Sequence, residues 1–290
     1  MSARYLMDGP READRLREKV DTPRWVEETL ATWLARGARL LEVGTGPMHL
    51  LAAAAAHTDL RVAVGVDFSL PRLAASEHQD AQSTLAPVAA DAQRLPFRDG
   101  VFDVSYTRFL LEYQPDPQKV VDEMVRATRT GGVVLLQDLD GQLVTHHPPS
   151  AELQHALELV LTGLAGRLDP YVGRKLFGLA RTAGLTDIDV RIAPYHVIAG
   201  TAPPDVLDRW TRKLETAHPH VAAVLGPKAA EAVMQHFLRY LTDPDTLTFS
   251  LVFTVTGRVP PRRSGASAET QRAQLQLRRM LRRHNASPLV

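Results

Sequence analysis

Leu40-Leu41-Glu42-Val43-Gly44-Thr45-Gly46-Pro47-Met48 is the stretch that decides how this chain folds. An apolar strand, Arg39–Val43, breaks at two glycines one residue apart, and a helix through His57 follows. Glycines between a strand and a helix let the backbone come close to a ligand, and the first turn of the helix offers N–H donors. Alone, a Gly-x-Gly turn is weak evidence.

Its neighbours strengthen it. Glu42 places an acid inside the strand just before the glycines. The next strand, Arg61–Val66, ends at Asp67, 21 residues after Gly46. A carboxylate there can accept from both hydroxyls of a ribose. A third, weaker strand, Ala86–Ala90, ends at Asp91-Ala92 and leads into Leu95-Pro96-Phe97. Asp91 can accept from an exocyclic amine of a base, with apolar neighbours against the ring.

The same rhythm continues. A helix is expected from about Pro71 to Gln79, a strand over Phe102–Thr107, and a helix capped by Asp116 whose apolar face is Val120, Val121, Met124 and Val125. Gly131-Gly132 is expected to stop that helix, and Val133–Leu136 reads as a strand covered on both faces. Strands alternating with helices imply a parallel, doubly wound α/β sheet. Before this core, residues 8–19 read as a polar helix. Thr22 is expected to cap a second helix with Pro23 at its first position, Val26, Leu30, Trp33 and Leu34 on one face, and Gly37 at its end. After the core, a loop and helix fill 141–168, and Asp169-Pro170 starts another helix ending at Gly184. Thr186–Ile192 is a strand, 203–241 is mainly helical, and Leu247–Thr256 alternates as a final strand. This gives residues 1–37 as N-terminal helices covering the site, and 38–260 as the core with helical inserts near 141–168 and 203–241. Residues 261–290 are expected to form a basic, disordered tail.

The 290 residues suit one large domain, and 44% hydrophobic with 23% charged content is ordinary for a globular protein. There is no cysteine, which excludes disulfides, thiolate nucleophiles and cysteine metal sites. The N-terminus has no apolar secretory segment and no run spans a bilayer, so a cytoplasmic protein is expected. The net charge of +1 divides into +6 on residues 261–290 and −5 on the rest. An acidic body argues against nucleic acid as partner. A homo-oligomer is compatible.

Glu42-x-Gly44-x-Gly46, Asp67, Asp91 with Leu95-Pro96-Phe97, Phe102-Asp103-Val104, the segment Phe109–Pro117 and Arg129-Thr130-Gly131-Gly132 together resemble the class I SAM-dependent methyltransferases. The likeness is to their ubiquinone/menaquinone-type small-molecule branch, and it covers roughly residues 20–140. It implies a Rossmann-like, mostly parallel seven-stranded sheet with an antiparallel last strand and helical lid insertions. It also implies S-adenosyl-L-methionine (SAM) as cofactor. The glycine turn (Glu42, Gly44, Thr45, Gly46) would hold the methionine part, Asp67 and Phe68 the ribose, Asp91 and Ala92 the adenine, with Thr107 nearby. Met48 stands where the family often has a third glycine, and Thr130 where it has proline. The dehydrogenase fingerprint fits less well, because it needs glycine at His49.

Ligands in open α/β sheets bind beyond the carboxyl ends of the strands. That rule nominates Arg108 after the fourth strand, Asp138 after the fifth and His146 just beyond as catalytic candidates. Asp140, His147, Tyr171, Arg174, Tyr195, His196 and Trp210 are further pocket guesses, and Trp25 and Trp33 are candidates to cover the cofactor. No metal is expected: the adjacent histidines have no clear third ligand. The implied activity is methyl transfer to an O, N or C atom of a small molecule, in specialised metabolism. The alternative is a SAM-binding protein of the same fold that does not methylate, a cyclase or binder. A nucleic-acid methyltransferase is disfavoured: where such enzymes carry an Asn/Asp-Pro-Pro-Tyr element, this chain reads Thr107-Arg108-Phe109-Leu110.

Overall fold

The computed structural model describes residues 21–74, 84–141 and 144–261. The chain divides into a unit Met1–Val259 and a second, Pro260–Val290, and the sheet with the helices packed on it belongs to the first. The helix expected at 8–19, the end of the one expected at 71–79, and the tail past residue 261 lie outside the described residues.

Eight strands form one sheet in the order β3-β2-β1-β4-β5-β8-β6, with β7 on the other edge of β8. They are β1 (Arg39–Val43), β2 (Val62–Asp67), β3 (Leu85–Ala89), β4 (Phe102–Arg108), β5 (Thr128–Asp140), β6 (His146–His147), β7 (Thr186–Ala199) and β8 (Leu247–Arg258). β1 to β5 are parallel, and β8 runs antiparallel to β5, β6 and β7. The sheet therefore has one strand more than the seven expected, the two-residue β6 beside the reversed β8.

Period-two alternation sorts the strand residues onto two faces. Leu41, Val43, Val64, Val66 and Val134 pack on one face against α4 (Pro117–Ala127) and α6 (Leu176–Thr182). Leu40, Ala63, Val104 and Leu135 pack on the other against α2 (His49–His57) and the N-terminal helical segment. Nearly every side chain of β1, β2 and β5's second half is buried, as expected for strands covered on both sides.

That N-terminal segment begins as α1 (Thr22–Trp25), changes to a π turn over Val26–Leu30 and tightens to a 3₁₀ turn at Ala31–Trp33. Its cap is Asp21, whose carboxylate accepts from the Arg24 amide, and not Thr22, which is already helical. Asp116 does cap α4 by accepting from Lys119 N, with Pro117 at the first position. The helix ends at Ala127, before the glycine pair. Gly131 and Gly132 instead belong to β5, where a Cβ on Gly132 would come 2.7 Å from the Asp103 carbonyl. Glycine is there for close approach to β4, not as a stop.

Asp169 accepts from the Tyr171 amide, a local Asx turn, so helix starts only at Gly173 as a 3₁₀ turn leading into α6. The two helical inserts meet. α5 (Ala151–Gly163), α7 (Pro204–Leu225) and α8 (Pro227–Thr242) share a separate core of Leu153, Ile198, Trp210, Phe237 and Leu241. Their caps include Ser150, which accepts from Leu153 N.

Candidate functional site

In the order 3-2-1-4-5 the connections reverse direction between β1 and β4, and a crevice opens at such a switch point beyond the strand ends. A cavity of about 350 Å³ lies there, within the roughly 300–1,000 Å³ usual for small-molecule sites. Of the nine residues expected to hold a cofactor, Glu42, Gly44, Thr45, Gly46, Asp67, Phe68, Asp91 and Ala92 line it. Thr107 does not: it is fully buried and its hydroxyl donates to the Val43 carbonyl at 2.8 Å, tying β4 to β1.

Gly44 and Gly46 both have positive φ, 79° and 55°. A Cβ on Gly44 would meet the Leu110 side chain at 2.9 Å, so glycine lets the β4 loop close over the turn. The amides of this turn are not bare. Gly44 N and Thr45 N both donate to the Val66 carbonyl, at 2.8 and 3.0 Å, and Gly46 N donates to Asp67 Oδ2 at 2.9 Å. The turn is thus stitched to the end of β2, and the polar groups left beside the cleft are side chains. Met48 is the residue that strains: φ is 60° and ψ 13°, left-handed geometry costing about 1–2 kcal/mol for a residue with a Cβ. This is why a glycine suits the position. The Met48 side chain goes into the core with Leu40 and Leu51 and does not narrow the cleft.

Glu42 is buried and accepts from Thr45 Oγ1 at 2.6 Å and from the Tyr106 hydroxyl. Burial outweighs these bonds and raises its carboxyl to about 7. The same burial, reinforced by Glu42, pushes the Tyr106 hydroxyl well above its ordinary range. Asp67 is held by Gly46 N, by Ser69 N at 2.9 Å and by Arg72 Nη2 at 3.3 Å. Arg72 also lies over the half-exposed Phe68 ring, 4.8 Å from its centroid. Asp91 is exposed, with one oxygen accepting from Gln93 N at 2.9 Å.

Of the catalytic candidates, Arg108 alone reaches the cleft. It also lines a second cavity of about 480 Å³ on the α1 side of the sheet. Its Nε donates to Gln137 Oε1 at 2.9 Å, and its guanidinium sits 3.9 Å from the Phe109 ring centroid and 5.8 Å from that of Trp25. Burial holds its pKa below the usual arginine value. Asp138 is fully buried outside the cleft lining. Its oxygens accept from Leu111 N, Glu112 N and Leu139 N at 2.8, 3.3 and 2.9 Å. Burial and the neighbouring Glu112 carboxylate push its pKa well up. It pins the loop after β4.

His146 lies in the helical cluster, bonded to Thr248 Oγ1 at 3.0 Å and packed 5.1 Å from Tyr240 and 5.6 Å from Phe237. Asp140 is taken by Arg174, and Trp210 is core. His147 is exposed, Tyr171 lies under the Arg174 guanidinium, and His196 packs between Tyr195 and Trp210. Trp25 and Trp33 line the second cavity and not the first; Trp25 donates to Gln137 at 2.8 Å. Among the described residues no three His, Asp or Glu side chains are grouped to hold a metal, and no helix is long and apolar enough to cross a membrane.

The cleft also contains residues to which the sequence reading assigned no role: His49, Arg72, Gln93, Leu110, Glu112 and Tyr113. His49 opens α2 directly after the glycine turn, and Arg72 lies in α3 (Leu70–Ala74), one helical turn past Phe68. Glu112 belongs to the stretch after β4 that carried the family likeness.

Residues 41–136 match the family described as a methyltransferase domain. Over that stretch the chain is similar to class I SAM-dependent methyltransferases. A phosphatidylethanolamine N-methyltransferase of Cereibacter sphaeroides is 40% identical over 126 residues, 40% of this chain and 57% of that protein. A demethylmenaquinone methyltransferase of Roseiflexus castenholzii is 40% identical over 96 residues, 33% of this chain and 40% of that one. The chain thus spans less than two thirds of either relative's length. Among solved structures, Haemonchus contortus phosphoethanolamine N-methyltransferase 2, bound to phosphomonomethylethanolamine and S-adenosylhomocysteine, aligns with TM-score 0.52 and 19% identity over 82% of this chain and 52% of that one. The [4+2]-cyclase SpnF aligns with TM-score 0.53 and 18% identity over 82% of this chain and 80% of its own. At these identities the likeness concerns the fold alone.

Proposed function

We propose that this protein moves the methyl group of SAM to an O, N or C atom of a small-molecule acceptor. The observation that carries the reading is the cleft at the β1/β4 switch point, where Glu42, Asp67 and Asp91 stand at three successive strand ends around one cavity. The donor set fits an adenosyl amino acid. Asp91 keeps an oxygen for an adenine amine, next to the Ala92 wall. Asp67 is oriented by two amides so that its carboxylate can accept from ribose hydroxyls, which compete with Arg72 for Oδ1. An ammonium brought beside Glu42 would shift its near-neutral carboxyl to the charged form.

Bound SAM supplies an electrophilic methyl on a cationic sulfur. The chain's contribution is alignment of the acceptor and exclusion of water. Leu110, closing over Gly44, and the loop pinned by Asp138 supply the cover. Arg108 lines both cavities, which supports a reading in which the acceptor lies in the second cavity, beside α1. A small acceptor suits that volume, and the acidic body fits poorly with nucleic acid.

The test incubates the full chain with methyl-labelled SAM and a panel of quinols, amino alcohols and aromatic acids. Label appearing in one acceptor, with stoichiometric S-adenosylhomocysteine (SAH), is the expected result. Tight SAH binding with no label in any acceptor supports a protein that holds SAM without transfer.

A further inference from the structure

The charges around the second cavity carry information about the acceptor's chemistry that the methyl-transfer reading does not use. Its rim charges mostly pair with each other: Arg24 with Glu28 at 2.8 Å and Arg191 with Asp189 at 3.2 Å. Arg108 differs. Its partners are the neutral Gln137 oxygen, the Tyr195 hydroxyl and the faces of Phe109 and Trp25, and no described carboxylate is within ion-pair distance. The two acids that feel its charge, Glu42 and Asp138, are turned to other donors: Thr45 and Tyr106 for the first, three amides for the second. A guanidinium has five N–H donors in a fork that matches a carboxylate. Withdrawing such a cation from water without a counter-charge is costly unless an anion arrives.

The position says which anion. Arg108 stands where the cofactor cleft and the second cavity meet, and the second cavity has flat walls in Trp25, Trp33 and Tyr195. We infer that Arg108 seats a carboxylate or equivalent anionic oxygen of a flat, largely apolar acceptor that lies in the second cavity, with its reacting end toward the cleft. This rests on the methyl-transfer reading.

The test uses the full chain loaded with SAH, and naphthoate against naphthamide as probes of equal shape. Binding is followed by tryptophan quenching and calorimetry. Naphthoate is expected to bind about tenfold more tightly than the amide or better. R108M, checked for an unchanged near-ultraviolet circular dichroism spectrum, is expected to lose the preference, and R108K to keep part of it. SAH affinity should change by less than about twofold in both. Equal binding of the two probes to the unaltered chain, or binding of neither, overturns the inference. So does loss of SAH affinity in R108M, which assigns the cation to the cofactor's carboxylate. If the unaltered chain takes up no SAH, the methyl-transfer reading fails, and the probe preference is scored separately on the ligand-free chain.

Discussion

The ends of β1, β2 and β3 carry Glu42, Asp67 and Asp91, and the end of β5 carries Asp138 and Asp140, yet of these acids only the first group lines the cleft. On the β1 side the chain turns away through two glycines into α2, while β4 departs in the opposite direction, so nothing fills the space between. On the β5 side the loop after β4 folds back over the strand, and Asp138 holds it down through two of its amides. Asp140 is closed off by Arg174 in the same way. An acid at a strand end is therefore a site only where the topology leaves room in front of it. Elsewhere the same residue type acts as an acceptor for backbone donors.

That contrast can be broken by substitution. The largest effect is expected from D138A, which leaves three buried amides without their acceptor. Stability should fall by about 4 kcal/mol, read from urea unfolding, while SAH affinity of the folded protein falls less than in a cleft variant. A D138A protein of unchanged stability that no longer bound SAH would reverse the assignment.

Glu42 should show itself through pH. Its ordinary pKa is 4.5 and its folded value about 7. A carboxyl raised on folding contributes stability that is complete below pH 4.5 and lost as pH rises through 7. The loss is on the order of 3 kcal/mol. E42Q lacks the titration. Its stability relative to the unaltered, ligand-free chain should therefore rise by that amount between pH 4.5 and 8. Parallel pH curves for the two proteins would show that Glu42 is charged and satisfied.

Within the cleft itself, D67N is expected to weaken SAH binding about a hundredfold. D91N should weaken it about tenfold, because Asp91 is exposed and its bond competes with water. Calorimetry orders the two. A reversed order would mean that Arg72 keeps Asp67 from the ligand.

Much of this was legible in the sequence, for identifiable reasons. The β1 to β5 order, and the gathering of eight of the nine expected cofactor residues around one cavity, follow from a glycine turn and acids at regular strand-end spacing, and parallel strands fix where such ends lie. Thr107 failed because the inward and outward sides of β4 cannot be told apart when both faces are buried. His146 and Asp138 failed because chain position beyond a strand end does not report whether a loop or an insert covers it. His146 is claimed by Phe237 and Tyr240, roughly ninety residues further along. His49, Arg72 and Glu112 were missed because each lies one turn or one loop past a motif residue. The Gly44–Gly46 amides face β2 because Val66 and Asp67 compete for them, which a motif does not show.

The central claim is that the β1/β4 cleft binds the adenosyl cofactor through Asp67. Titration calorimetry of the full chain with SAH, beside D67N at the same protein concentration, tests it most directly. One site per chain, with affinity cut about a hundredfold by the substitution, is the expected result. No heat at millimolar SAH, or identical isotherms for the two proteins, would contradict it.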